Sequence, residues 1–138
     1  MVENQTLKEK RILVVDDEPD FCAIVQGNLE KAGFDVEVAY DGIEGLARVK
    51  ANPPDAIVLD VMMPDMDGFE VCSRLKADPE TQDIPVIFLS ALDDTANKVK
   101  GFMAGAVDYI AKPFQPEEVH VRVNTHLTMN RLKQSLAE

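Results

Sequence analysis

Apolar residues in this chain fall into five short runs, separated by longer stretches in which they recur every three or four positions. Four runs, Ile12–Val15, Ala56–Leu59, Pro85–Leu89 and Tyr109–Ala111, are almost continuously apolar, as a strand buried on both faces of a sheet requires. The fifth, Asp35–Tyr40, alternates polar and apolar residues and suits an edge strand. Between the runs the spacing predicts helices. Phe21, Ile24, Val25 and Leu29 mark one face after Pro19 and stop at Gly33, and Ile43, Leu46, Ala47 and Val49 mark a second before Asn52-Pro53-Pro54. Phe69, Val71, Cys72 and Leu75 mark a third, ending near Asp78-Pro79. Val99, Phe102 and Met103 belong to a fourth that closes at Gly105. A fifth opens at Pro116-Glu117-Glu118, with acids near the positive end of its dipole.

Strand and helix thus alternate five times. Right-handed crossovers between parallel strands leave few arrangements, and for five strands the usual one is the doubly wound, flavodoxin-like order 2-1-3-4-5 in a single three-layer α/β domain. In that order the runs ending at Val15, Leu59, Leu89 and Ala111 are neighbours, and each is followed by a chemically useful residue: Asp16-Asp17, Asp60, Ser90 and Lys112. The carboxyl ends of parallel strands share one edge, where ligands bind. Any one of these residues alone reads as an ordinary turn, cap or solvated side chain; their conjunction at adjoining strand ends points to a site.

Three carboxylates held close together repel, and such a site either raises their pKa values or recruits a cation. Mg²⁺, or Mn²⁺ in its place, suits an all-oxygen set and keeps positions open for water and phosphate oxygens. Lys112 adds a second positive charge and Ser90 a hydroxyl donor, which together match the equatorial oxygens of a phosphoryl group. Asp60, central in the row, is the candidate nucleophile for an aspartyl phosphate.

With 138 residues, 46% of them hydrophobic, the chain has enough for one domain and its core. Residues 1–10 are polar and expected to fray. No apolar run approaches the roughly 18 residues of a membrane span and no signal peptide opens the chain, so the expectation is a soluble, cytoplasmic protein that does not engage the membrane. The net charge of −11 argues against nucleic acid as a direct partner. Cys22 and Cys72 are isolated and read as small buried hydrophobes, while His120 and His126 are expected to face solvent.

The segments Val14–Pro19, Val58–Gly68, Phe88–Ala91 and Asp108–Phe114 together resemble the receiver domains of two-component response regulators, chemotaxis-regulator-like in pattern, over about Arg11 to His126. The resemblance implies that Asp60 accepts a phosphoryl group from the phosphohistidine of a sensor histidine kinase or phosphotransfer protein. It implies that Asp17, Asp60 and the backbone carbonyl of Met62 bind Mg²⁺, with Asp16 helping through water, and that Lys112 contacts the phosphate from a cis Lys112–Pro113 bond. Ser90 and Tyr109 would form the switch, turning inward on phosphorylation, and the fourth helix, fifth strand and fifth helix the output surface. Such a domain catalyses only its own phosphorylation and slow dephosphorylation and is not otherwise an enzyme.

Two features depart from the common receiver pattern. Met62 and Leu92, two residues beyond the acceptor and the hydroxyl, are apolar where many receivers place polar groups, which implies slow hydrolysis. Val119, Val123 and Leu127, followed by Met129, Leu132 and Leu136, carry apolar spacing past the usual end of the domain. Residues 127–138 accordingly read as an extension of the last helix, leading to an output module or pairing with a second copy, or else as an amphipathic end that merely packs or frays. Two other classes compete. An aspartate-nucleophile phosphatase would carry Asp-x-Asp-x-Thr after the first strand, where this chain has Asp16-Asp17-Glu18-Pro19. A receiver-like interaction module that is never phosphorylated would be expected to lack a site residue.

Overall fold

The computed structural model describes residues 10–92 and 94–137; the fraying expected of 1–10 therefore falls, Lys10 apart, outside the described residues. The elements are β1 (Arg11–Val15), α1 (Pro19–Lys31), β2 (Asp35–Ala39), α2 (Gly42–Ala51), β3 (Ala56–Asp60), α3 (Gly68–Ala77), β4 (Val86–Ser90), α4 (Thr95–Met103), β5 (Asp108–Ala111) and α5 (Pro116–Ala137). All strand pairs are parallel, in the order β2-β1-β3-β4-β5, with β2 at one edge as its alternating sequence predicts.

The period of two along each strand divides the core into two layers. Leu13, Val15, Ile57, Leu59, Val86 and Phe88 face Val49 of α2 and Phe69, Cys72 and Leu75 of α3. Ile12, Val14, Val58, Ile87 and Leu89 face Cys22, Val25 and Leu29 of α1 and Val119, Val123 and Leu127 of α5. Both cysteines are buried, and burial pushes the Cys22 thiol up to about 12 and that of Cys72 to about 11, so neither is a reactive thiolate.

The helices start and stop on local chemistry. Asp41 accepts a hydrogen bond from the Glu44 amide at 2.7 Å and Asp67 from the Glu70 amide at 2.9 Å, satisfying free N–H groups at the starts of α2 and α3. Gly33 and Gly105 follow α1 and α4 with φ of 101° and 110°, values a side chain would resist.

The predicted face holds in full only for α3. In α1 and α2, Ile24 and Ile43 are exposed, as is Ala47, because Cys22 and the close approach of Gly45 to Val15 set the phase of burial. The fourth helix departs furthest: Val99, Phe102 and Met103 all face outward, and Gly101 is the part of α4 that is buried. A Cβ on Gly101 would lie 2.9 Å from the Tyr109 ring and 3.1 Å from that of Phe88, so α4 packs through a residue with no side chain.

His126 also differs from expectation. It is largely buried, with Nε2 2.9 Å from Asp108 Oδ2, while Arg122 donates to both oxygens of the same carboxylate at 2.7 and 2.8 Å. His120 is partly buried, its Nδ1 3.2 Å from Asn28 Oδ1 across α1 and α5. The α5 helix continues unbroken past Leu127, the last of its core contacts, leaving Met129, Leu132 and Leu136 exposed.

The β3–α3 connection brings backbone against backbone at Gly68. Gly68 donates to the Val61 carbonyl at 2.8 Å, and a Cβ there would collide with the Asp60 carbonyl oxygen and lie 2.9 Å from Val61 Cα. Gly68→Ala is therefore expected to destabilise the chain by about 2–3 kcal/mol. Gly27→Ala on exposed α1, where an added Cβ meets nothing within 4 Å, should stabilise it by about 0.5–1 kcal/mol. Urea unfolding of the two variants beside the wild type checks the pair.

Candidate functional site

Five of the residues singled out at the strand ends meet at one edge of the sheet. Asp16 follows the last residue of β1, where its amide donates to Ala39 at 3.1 Å; Asp60 and Ser90 end β3 and β4; Lys112 follows β5, its amide donating to Ser90 at 2.7 Å. Asp16, Asp60 and Ser90 are buried, and Asp17 is exposed. Oxygens of Asp16, Asp17, Glu18 and Asp60 all lie within 4.8 Å of one another. Glu18 was not singled out from the sequence, although its place in the Asp-Asp-Glu run after a strand is the signal that finds it.

The Lys112 ammonium lies beside three of these carboxylates. Lys112 Nζ lies 3.3 Å from Asp16, 3.5 Å from Glu18 and 3.9 Å from Asp60. Burial works against the charge of Lys112, yet Asp60 and Asp16 outweigh it and raise its pKa. Burial, seconded by the charge of Asp16, raises Asp60 from 3.8 to about 7, and the attraction of Lys112 and a hydrogen bond from the Met62 amide only partly offset this. Asp16 is raised too, again by burial, against a 3.0 Å hydrogen bond from the Glu18 amide and the pull of Lys112. A set made only of carboxylate oxygens, crowded enough to hold back ionisation, fits a hard divalent cation.

The remaining residues line the approach. Ser90 Oγ accepts from the Leu92 amide at 3.2 Å, and the Tyr109 hydroxyl donates to the Leu92 carbonyl at 2.7 Å. The Tyr109 ring is buried against Phe88, centroids 5.9 Å apart, and burial raises its pKa. Lys112–Pro113 is cis. Met62, 57% exposed, and the partly buried Leu92 line an open cleft of about 530 Å³ together with Asp17, Pro64, Phe69 and Lys100.

The model of the response regulator receiver domain matches residues 12–124. The chain is 50% identical over 117 residues to the DNA-binding dual master transcriptional regulator RpaA of Synechocystis sp., covering 85% of this chain and 48% of that protein. It is 45% identical over 123 residues to the alkaline phosphatase synthesis transcriptional regulatory protein PhoP of Bacillus subtilis, covering 89% and 50%. The chain thus spans about half the length of the curated relatives it matches. Among solved structures, the Francisella response regulator 1452 receiver domain superposes with a TM-score of 0.82 at 38% identity, covering 88% of this chain and 98% of that one.

The raised values of Asp60 and Asp16 have a sign for stability. Between 3.8 and about 7 the folded Asp60 holds a proton that the unfolded chain has released, and the raised Asp16 acts in the same direction, so without a divalent cation stability falls as pH rises through that window. Metal-free Asp60→Asn is expected to exceed the wild type by on the order of 2 kcal/mol at pH 8, with the advantage shrinking toward pH 4. Urea unfolding across that pH range in chelator measures it, and an advantage that grew toward pH 4 would refute the assignment of charge.

Proposed function

The chain belongs to the response regulator receiver family, and from that premise we propose that it is the phosphoacceptor of a two-component phosphorelay, with Asp60 as the acceptor. The observation that carries the reading is the placing of Asp60: buried, beside one ammonium, and within 4.8 Å of three further carboxylates. An ionised Asp60 oxygen attacks phosphorus, the bond from phosphorus to the imidazole nitrogen of a kinase or phosphotransfer-protein phosphohistidine breaks, and the electron pair leaves with the imidazole, which takes up a proton.

Asp17, Asp60 and the Met62 carbonyl, with Asp16 and Glu18 at hand, would hold Mg²⁺, which when bound would supply the charge that lets an anionic phosphoryl group approach a carboxylate. Lys112 neutralises an equatorial oxygen and Ser90 donates its hydroxyl to another. Movement of Ser90 toward the phosphoryl group bears on Leu92, whose carbonyl holds the Tyr109 hydroxyl, and so on α4, β5 and α5 as the surface read by partners. Residues 11–126 form the receiver on this reading. The exposed end of α5 leads to an output module or meets a second copy, while DNA binding is credited by name to the RpaA relative.

The chain acts on itself and turns over no separate substrate. Incubated with Mg²⁺ and a small phosphodonor, the wild type should gain one phosphate by mass spectrometry and Asp60→Asn none, since an amide of the same shape forms no acyl phosphate. Asp17→Asn should weaken Mg²⁺ binding at least tenfold by calorimetry. Uptake by Asp60→Asn, continuing turnover of a phosphomonoester, or equal Mg²⁺ affinity in the Asp17 variant would overturn the respective assignments.

The cleft beside Asp60 bears on how long the phosphate stays. Hydrolysis needs a water held in line with phosphorus, and Met62 and Leu92 offer it no hydrogen bond. Met62→Asn or Leu92→Glu should speed loss of phosphate about tenfold, equivalent to about 1.4 kcal/mol of barrier. Unchanged decay in both would show that these two residues do not set the lifetime.

A further inference from the structure

Lys112 rests on a ring as well as among acids. Its Nζ lies 4.1 Å from the centroid of the Phe21 ring, inside the range in which an aromatic face attracts a cation. Phe21 belongs to the first turn of α1, and its ring is met edge-on by Phe114, centroids 5.7 Å apart at 89°. Phe114 lies two residues beyond Lys112 in the loop that carries the lysine. The three aromatic and cationic groups thus tie the start of α1 to the β5–α5 loop, and both rings pack on the α1/α5 layer of the core.

We infer that Phe21 is a positioning residue for Lys112 in phosphoryl transfer, an inference that rests on the assignment of Lys112 to the phosphoryl group. A lysine side chain has four rotatable bonds and a strongly hydrated head. Placed among Asp16, Glu18 and Asp60 alone, it would be free to follow whichever carboxylate or water competed best. The ring face attracts the ammonium without accepting one of its hydrogens in a conventional hydrogen bond, leaving the N–H groups for the acids and for an arriving phosphoryl oxygen. It also occupies one flank of the ammonium that water would otherwise fill. Leucine in its place fills similar space but carries no quadrupole.

The test compares Phe21→Leu with Phe21→Tyr and Phe21→Trp, using phosphoramidate with saturating Mg²⁺ over a range of donor concentrations. The leucine variant should lose threefold to tenfold in the limiting rate of phosphate uptake on Asp60 with Mg²⁺ affinity unchanged, and the tyrosine and tryptophan variants should stay within twofold of wild type. In proton spectra the Lys112 ε-methylene signals should lie upfield in the wild type and the tyrosine variant, from the ring current, and return to the ordinary lysine position in the leucine variant. Wild-type rates in the leucine variant, equal loss in all three, or no upfield displacement in the wild type would each overturn the inference; the last needs no variant to fold. Wild type that shows the displacement yet takes up no phosphate would refute the reading of Asp60, and this inference with it.

Discussion

Four carboxylates crowd together at the C-terminal edge of the sheet, three of them within 4 Å of the Lys112 ammonium, and this excess of negative charge constrains what is placed around it. Two of the acids are buried, where like charges are poorly screened, so the folded chain holds protons it would release in water. The unfavourable charge is borne by the two apolar layers beneath, whose strands end in register at the site. A site assembled this way is complementary to positive charge before any ligand arrives, which is the sense in which a receiver is preorganised.

The means of holding Asp60 are mostly backbone. The Met62 amide reaches its carboxylate, and Gly68 brings the start of α3 against the Asp60 carbonyl. That close approach leaves Asp60 little freedom, whereas the Met62 side chain just beyond it stands exposed in the cleft. Rigidity at Asp60 and openness beside it come from the same short loop.

On the other flank the packing is lighter. α4 meets the sheet through Gly101, with its larger apolar residues outward, so little buried area holds it in place. Tyr109 lies between Gly101 and the Leu92 carbonyl and touches both the helix and the loop that follows Ser90. β5 is anchored differently, by Asp108. Burial opposes its charge, but hydrogen bonds from Arg122 and His126 outweigh that and lower its pKa, joining α5 to the strand. A firmly tied α5 beside a lightly packed α4 gives the face an uneven stiffness.

Much of this was legible in the sequence. Buried parallel strands demand unbroken apolar runs, helix ends demand proline, aspartate or glycine, and handedness leaves few ways to connect five strands, so the fold and the convergence of Asp16, Asp17, Asp60, Ser90 and Lys112 followed from local pattern. Which face of a helix is buried did not. Spacing finds an apolar stripe but cannot say whether the sheet receives it, and at α4 a glycine took the contact instead. The burial of His126 escaped for the same reason, since its partner Asp108 lies 18 residues away and is met only across the packed α5–β5 contact. Glu18 and Phe21 joined the site through the path of the chain after β1 and the reach of Lys112 from the far end of the sequence. Composition and order thus determined the elements and the chemistry at their ends; only tertiary packing decided which groups sit within a few ångströms of one another, because those distances depend on long-range contacts that no local window contains.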